Sequence, residues 1–226
     1  MRRLIGLLLC LCVMIVPVGA EQETKYVALT FDDGPSGRYT RQLLDGLQER
    51  GAKATFLLCG YRIKEYPNDA QRIIDEGHEI GTHGYSHKNM KGMSRGEIAQ
   101  EIKDTQALLP SGARIRFLRP PGGCCSDAVR QVAEVMNLGI LNWSVDPRDW
   151  AVDSAGTIEK AVLKNVADGD VILLHDMSES SVTAALHIID ELSEQGYRFV
   201  TASQLAYLRG CPIKGGKSYT SVPAKR

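Results

Sequence analysis

Short apolar runs and amphipathic stretches alternate along almost the whole chain, and this alternation restricts the available folds more than any other feature. "YVALTF" at 26–31 is followed by "TRQLLDGLQERG" at 40–51, where Leu43, Leu44 and Leu47 recur at helical spacing and Gly51 is a stop signal. The pattern repeats. "ATFLLCG" at 54–60 precedes "NDAQRIIDEG" at 68–77, with Asn68 as the expected cap and Gly77 as the end. "SRGEIAQEIKDTQALL" at 94–109 opens with a Ser94-x-x-Glu97 capping box. Further strand patterns lie at 114–120, 139–146, 170–176 and 197–202, and helical patterns at 126–139, 155–166, 182–196 and 203–208. About seven β-α units in series predict a parallel sheet with helices outside, as an open doubly wound sheet or a closed or partly closed barrel.

Composition narrows what such a domain does. In 226 residues, charged residues make up 24% and the 27 basic and 27 acidic side chains balance, so there is no basic stripe for nucleic acid. No GxGxxG or GxxxxGK[ST] loop follows a strand, so nucleotide binding lacks its usual mark. The first twenty residues stand apart. Arg2 and Arg3 precede the apolar run "LIGLLLCLCVMIV" and then Pro17 and "VGA" ending at Ala20. This reads as a secretory signal peptide cut after Ala20. An uncleaved anchor is the alternative, against which the run falls short of the ~20 residues of a spanning helix. Secretion or attachment at the cell surface follows, with no stable membrane span after cleavage. The expected organisation is signal peptide 1–20, one folded domain 21–208 and a polar, flexible tail 209–226, in a monomer. Cys59, Cys124, Cys125 and Cys211 remain, too few for a disulfide framework and without a CxxC pair for zinc; their pairing stays open.

The chemistry concentrates where parallel α/β folds place it, at the C-terminal ends of strands. The first strand ends in "TFDDGP", with Asp32 and Asp33 side by side. Two adjacent carboxylates raise each other's pKa unless a positive charge intervenes. "GHEIGTHGYSH" carries His78, His83 and His87; "RFLRPPGG" ends in Arg119 and its glycines; "WSVDPRDW" brings Asp146, Asp149 and Trp150; "VILLHD" ends in His175 and Asp176. His187, off the apolar face of its helix, reads as a surface residue. His83 and His87 are spaced i, i+4, which in a helical turn sets both imidazoles on one side. Two imidazoles and the Asp33 carboxylate suit zinc or a similar divalent ion. The metal then keeps both aspartates ionised and leaves Asp32 free to act as a base. Arg119 can orient Asp32, His175 can serve as general acid, and Asp149 can hold that imidazole and raise its pKa. Successive side chains on a strand point to opposite faces. Asp32 and Asp33 reach one site only if the strand breaks, and Gly34-Pro35 is a turn that allows it.

"TFDDGP", "HGYSH", "RPPGG", "DPRDW" and "ILLHD", in this order, resemble the five motifs of the NodB-like polysaccharide deacetylases, carbohydrate esterase family 4. The likeness of layout covers about 26–208. It implies a distorted (β/α) barrel and a hydrolase acting on carbon–nitrogen bonds, removing N-acetyl groups from a polysaccharide such as peptidoglycan or a chitin-like polymer. By position, Asp32 resembles the catalytic base and Asp33, His83 and His87 the ligands of one divalent metal, zinc or cobalt among the candidates. Arg119 resembles the residue that positions the base, His175 the general acid and Asp149 its partner. Gly122 resembles the backbone donor to the oxyanion, and Trp150 and Leu173 walls of the groove and of the acetyl pocket. Two positions depart from the family pattern. Gly84 stands where Ser or Thr usually steadies the loop, so a looser loop is expected, and Gly122 replaces a bulkier groove wall. An acetyl-xylan-type O-deacetylase would need the same machinery. A catalytically silent glycan-binding module is the remaining alternative, against which the complete set of ligands and acid–base residues stands.

Overall fold

A computed structural model describes residues 24–224; the expected signal peptide lies outside the described residues. Its centre is an eight-stranded sheet in which every pairing is parallel. The strands are β1 (Lys25–Asp32), β2 (Ala54–Leu58), β3 (Glu79–Thr82), β4 (Phe117–Leu118), β5 (Gly139–Leu141), β6 (Val171–His175), β7 (Tyr197–Phe199) and β8 (Ser218–Tyr219). Their order is β6-β1-β2-β3-β4-β5-β8, with β7 alongside the first residues of β1. Beyond β5 the chain turns back to β6, where Val145 bridges Ile172 and the Leu173 amide donates to the Val145 carbonyl at 2.9 Å. That link decides between the two architectures left open by the sequence: the sheet curls into a distorted barrel.

Side-chain alternation along β1 shows how the barrel is filled. Val27, Leu29 and Phe31 face outward into the core shared with the helices, while Ala28 faces the barrel interior with Leu57, Phe117, Leu141 and Val171. Helices α1 (Arg38–Glu49), α2 (Gly60–Glu65), α3 (Pro67–Asp75), α4 (Arg95–Ala107), α5 (Asp127–Val135), α6 (Ala155–Asn165), α7 (Glu179–Glu194) and α8 (Ala202–Leu208) surround it. In α1 the leucine triplet read from spacing is fully buried, and truncating one such leucine to alanine costs about 2–5 kcal/mol. The Ser94/Glu97 capping box is formed at the start of α4.

Three expectations need correction. α3 begins at Pro67 with Tyr66 as its cap, so Asn68 lies inside the first turn; proline is preorganised for the first helical position. α2 went unread because six residues carry no helical period. The stretch expected to be a flexible tail is built into the barrel. β8 pairs with β5, the Val222 amide donates to the Gly169 carbonyl at 2.7 Å, and Tyr219 and Val222 pack into the barrel interior. Tyr219 and Val222 thus close the lower gap between β5 and β6 by apolar burial, which a two-residue strand in a polar stretch does not announce. Among the described residues no helix is long and apolar enough to cross a membrane, and Cys59, Cys124, Cys125 and Cys211 are all free thiols.

Candidate active site

Strand register brings the first two groups together. Asp32, the last residue of β1, is the cross-strand partner of both Leu57 and His175. It shares its face with Ala28 and Thr30, so it points inward at the C-terminal mouth and is buried. Asp33 should then point outward. Instead its φ is 73°, in the left-handed region, which breaks the strand and returns its carboxylate to the same site. Gly34 allows the turn to close against β6: a Cβ there would stand 2.4 Å from Asp176 Oδ1. Asp176 itself is fully buried and accepts from the Thr40 hydroxyl, while its carbonyl accepts from Ser36. Burial pushes its pKa up to about 6. It ties the turn after Asp33 to the end of β6, a task for which no sequence signal exists.

Arg119 enters from the end of β4 and is completely buried. Its Nη1 donates to Asp32 Oδ1 at 2.6 Å and to Thr30 Oγ1 at 3.0 Å. Its Nε donates to the Leu141 carbonyl at 2.6 Å and Nη2 to the Asn142 carbonyl at 3.0 Å. Four bonds fix the guanidinium, and through it the orientation of Asp32.

His83 follows β3 directly. Its Nδ1 lies 2.7 Å from the Arg119 carbonyl, an acceptor, so Nδ1 carries the proton and the Nε2 lone pair is free. That Nε2 lies 3.6 Å from Asp33 Oδ1, and His87 Nε2 lies 3.1 Å from the same oxygen. Asp33 Oδ1 is buried yet has no hydrogen-bond donor in alignment. An orphaned carboxylate oxygen facing a lone-pair nitrogen is repulsive unless a cation sits between them. The donor atoms of Asp33, His83 and His87 lie within 4.8 Å of one another, and one carboxylate with two imidazoles is a ligand set suited to a divalent transition metal. Burial holds His83 below the usual histidine range, in the neutral form a ligand needs. Burial pushes Asp33 upward, but His87 and His83 beside it outweigh this and hold the carboxyl below its ordinary value. The His83-to-His87 segment is not the helical turn expected from the i, i+4 spacing. Positive φ at Gly84 (84°) and His87 (55°) folds it as a loop, and the two rings meet with centroids 5.0 Å apart.

Opposite this cluster, His175 Nδ1 lies 2.8 Å from Asp149 Oδ1, and the His175 backbone amide donates to Asp149 Oδ2 at 2.8 Å. Burial opposes protonation, but the hydrogen bond and charge of Asp149, aided by Asp32 and Asp33, raise the imidazole to about 9. Asp149 sits in a short 3-10 turn that follows Arg148 at a φ of 56°. Asp32, Asp33, His83, His87 and His175 line one cavity of about 440 Å³ with Gly122, Trp143, Asp146, Trp150 and Leu173. Trp150 is 62% exposed at the rim and Leu173 is buried at the wall. Every residue singled out as catalytic, metal-ligating or groove-forming from the motifs therefore either lines this cavity or, like Arg119 and Asp149, fixes a residue that does. His78 does not belong. It precedes β3 at the opposite end of the barrel, where its Nδ1 accepts from the Ala54 amide at 3.2 Å. Being at the start of a strand rather than its end decides this. Trp143 and Glu101 went unread; the first looked like a strand residue, and the second sits on α4 outside the strand ends and bonds the Tyr85 and Ser86 amides.

The polysaccharide deacetylase family profile matches residues 19–140 of this sequence. The chain belongs to that family. It is 40% identical over 187 residues to the peptidoglycan-N-acetylmuramic acid deacetylase PdaC of Bacillus subtilis, an alignment covering 82% of this chain and 39% of that protein. It is also 40% identical over 187 residues to a peptidoglycan-N-acetylglucosamine deacetylase of Bacillus cereus, covering 80% of this chain and 88% of the relative. The chain thus spans well under half of the first relative and most of the second. Among solved structures, a family 4 acetyl xylan esterase from Clostridium thermocellum, in complex with a cobalt ion, superposes with a TM-score of 0.82 at 36% identity, covering 88% of this chain and all of that one.

Proposed function

We propose that this chain is an exported, metal-dependent hydrolase that removes N-acetyl groups from an N-acetylglucosamine-containing polysaccharide, peptidoglycan or a chitin-like polymer, and releases acetate. The observation that carries the reading is the orphaned Asp33 Oδ1 facing the His83 and His87 nitrogens, in one cavity with a held carboxylate and a protonated imidazole. A divalent ion held by Asp33, His83 and His87, zinc in the first instance, would supply Lewis-acid polarisation. Asp32, fixed by Arg119, takes the proton from the attacking water. His175, kept protonated by Asp149, gives a proton to the departing nitrogen. The Gly122 amide serves the oxyanion, while Leu173 contacts the acetyl methyl and Trp150 offers its exposed ring to a sugar face.

The cavity lining contains Asp146 and no Lys or Arg, so the positive charge a lactyl carboxylate would meet there is that of the protonated His175 and of the held ion, both already engaged in the reaction. This favours N-acetylglucosamine over N-acetylmuramic acid as the sugar attacked. The superposition with the acetyl xylan esterase keeps O-deacetylation as a second reading, since the machinery is shared. The catalytic domain would then run from residue 21 through the closing strand β8 to Val222, with 1–20 as the leader. Acetate release from N-acetylglucosamine oligomers, purified peptidoglycan and acetylated xylan, with defined metals, tests the assignment. The first two should react and His83→Ala should abolish the reaction. Undiminished turnover by His83→Ala would refute it.

A further inference from the structure

We propose that Glu101 is a positioning residue for the metal site: its carboxylate fixes the loop that carries His87 and thereby sets how tightly the ion is held. The inference rests on the metal reading above and adds a residue from outside the five motifs. The loop between the two histidines has no helical or sheet partners of its own, so each backbone polar group must find one elsewhere. Gly84 N–H donates to Thr82 Oγ1 at 3.0 Å. The carbonyls of Gly84 and Tyr85 accept from the Gly60 and Tyr61 amides at 3.0 Å each, at the start of α2. The two remaining amides, those of Tyr85 and Ser86, both donate to Glu101 Oε2 at 2.7 Å, and the Ser86 hydroxyl donates to Oε1 at 2.7 Å. One carboxylate on α4 thus takes both amides that the rest of the fold leaves open, together with the Ser86 hydroxyl. Hydrogen bonds to a carboxylate are the stronger kind.

The two ligands depend on this clamp unequally. His83 has anchors of its own: its amide donates to the Leu58 carbonyl at 2.9 Å and its Nδ1 bonds the Arg119 carbonyl. His87 has none. Its side chain is 44% exposed, its φ is 55°, and among the described residues its ring makes no aligned hydrogen bond. What places its Nε2 near Asp33 is the loop, and what holds the loop is Glu101. The fit is close. A Cβ at Gly84 would lie 3.1 Å from Glu101 Oε2 and 3.0 Å from Met90 Cε, so the carboxylate and the loop backbone are in contact. The missing side chain at position 84 therefore does not loosen this loop, because the anchoring group comes from α4.

The test is a chelator-competition titration of metal-stripped full-length protein with Co(II), read by affinity and by the visible absorption of the bound ion. Glu101→Ala removes the clamp. Glu101→Asp keeps the charge but falls a methylene short, and it carries the test where the alanine variant does not fold. Both should bind Co(II) about 10–100-fold more weakly, with an altered spectrum, as is usual for groups that orient ligands. Glu101→Gln can present its amide oxygen to both N–H groups and its NH₂ to Ser86, and should stay within a few-fold of wild type. A folded Glu101→Asp protein with wild-type affinity and spectrum would overturn the proposal and reduce Glu101 to a structural role. Wild-type protein that binds no Co(II) would instead overturn the metal site on which the proposal stands.

Discussion

Replacing Asp149 with asparagine should move the alkaline limb of the deacetylation profile. In the proposed reaction His175 is the proton donor, so its contribution is present below its pKa and is lost as pH rises through it. In the native protein that pKa is about 9, although burial alone would take it below the ordinary 6.5; the hydrogen bond and charge of Asp149 are the leading causes of the rise. Asp32 and Asp33 add less, and a cation bound at Asp33 offsets their share. Without the Asp149 charge the pKa falls to 6.5 or lower. At pH 8 the protonated fraction then drops from about nine-tenths to about 3%, a loss on the order of 30-fold from protonation alone. Tautomerism deepens the loss. The His175 amide is an obligate donor to one Asp149 oxygen, so an asparagine must give it the carbonyl and turn its NH₂ toward Nδ1. Nδ1 becomes an acceptor and the neutral ring is held in place. The assay is acetate release from N-acetylglucosamine oligomers between pH 5 and 10, with the variant's melting temperature as a control. A folded Asp149→Asn enzyme whose rate still falls only near pH 9, with an undiminished rate at pH 8, would refute the reasoning.

Other consequences follow from the same geometry. Arg119→Met leaves Asp32 buried without its partner, which should cost about 3–5 kcal/mol and lower the melting temperature by on the order of 10 °C, with loss of turnover; calorimetry beside acetate release checks both, and a variant as stable as wild type counts against the pairing. His78, buried at the base of the barrel, has its pKa lowered to about 4 by burial, with Lys53 and Arg72 adding to the effect. Its stabilisation is complete above the unfolded value of about 6.5 and is lost as pH falls toward 4, about 2 kcal/mol between pH 7 and pH 5. Urea unfolding of wild type and His78→Asn, whose carbonyl can still accept from Ala54, should show that slope in the first and not the second.

The site was more legible in the sequence than the fold around it, for a physical reason. Asp32, Arg119 and His175 sit at strand ends, with Asp149 in the connection that follows β5, and strand ends of a parallel sheet converge whatever the exact barrel shape. The strand break was legible too, since Asp32 and Asp33 can share a site only if alternation fails between them; Asp33 meets this with its left-handed φ. The His83–His87 geometry was misread because i, i+4 spacing implies a common face only in a helix, and Gly84 makes this segment a loop. Glu101 was invisible and Asp176, though named at a strand end, showed no role, because both act through hydrogen bonds between elements that leave no periodic trace. The closing strand β8 was hidden by its length, with Tyr219 the one apolar residue among polar neighbours.

The central claim is that Asp33, His83 and His87 hold one catalytically required divalent ion. Metal-stripped protein should be inactive, and stepwise addition of Zn(II) or Co(II) should restore acetate release in proportion until one equivalent per chain is bound, then level off. Full activity after exhaustive chelation, with metal content verified below a few per cent of the chain concentration, would contradict it.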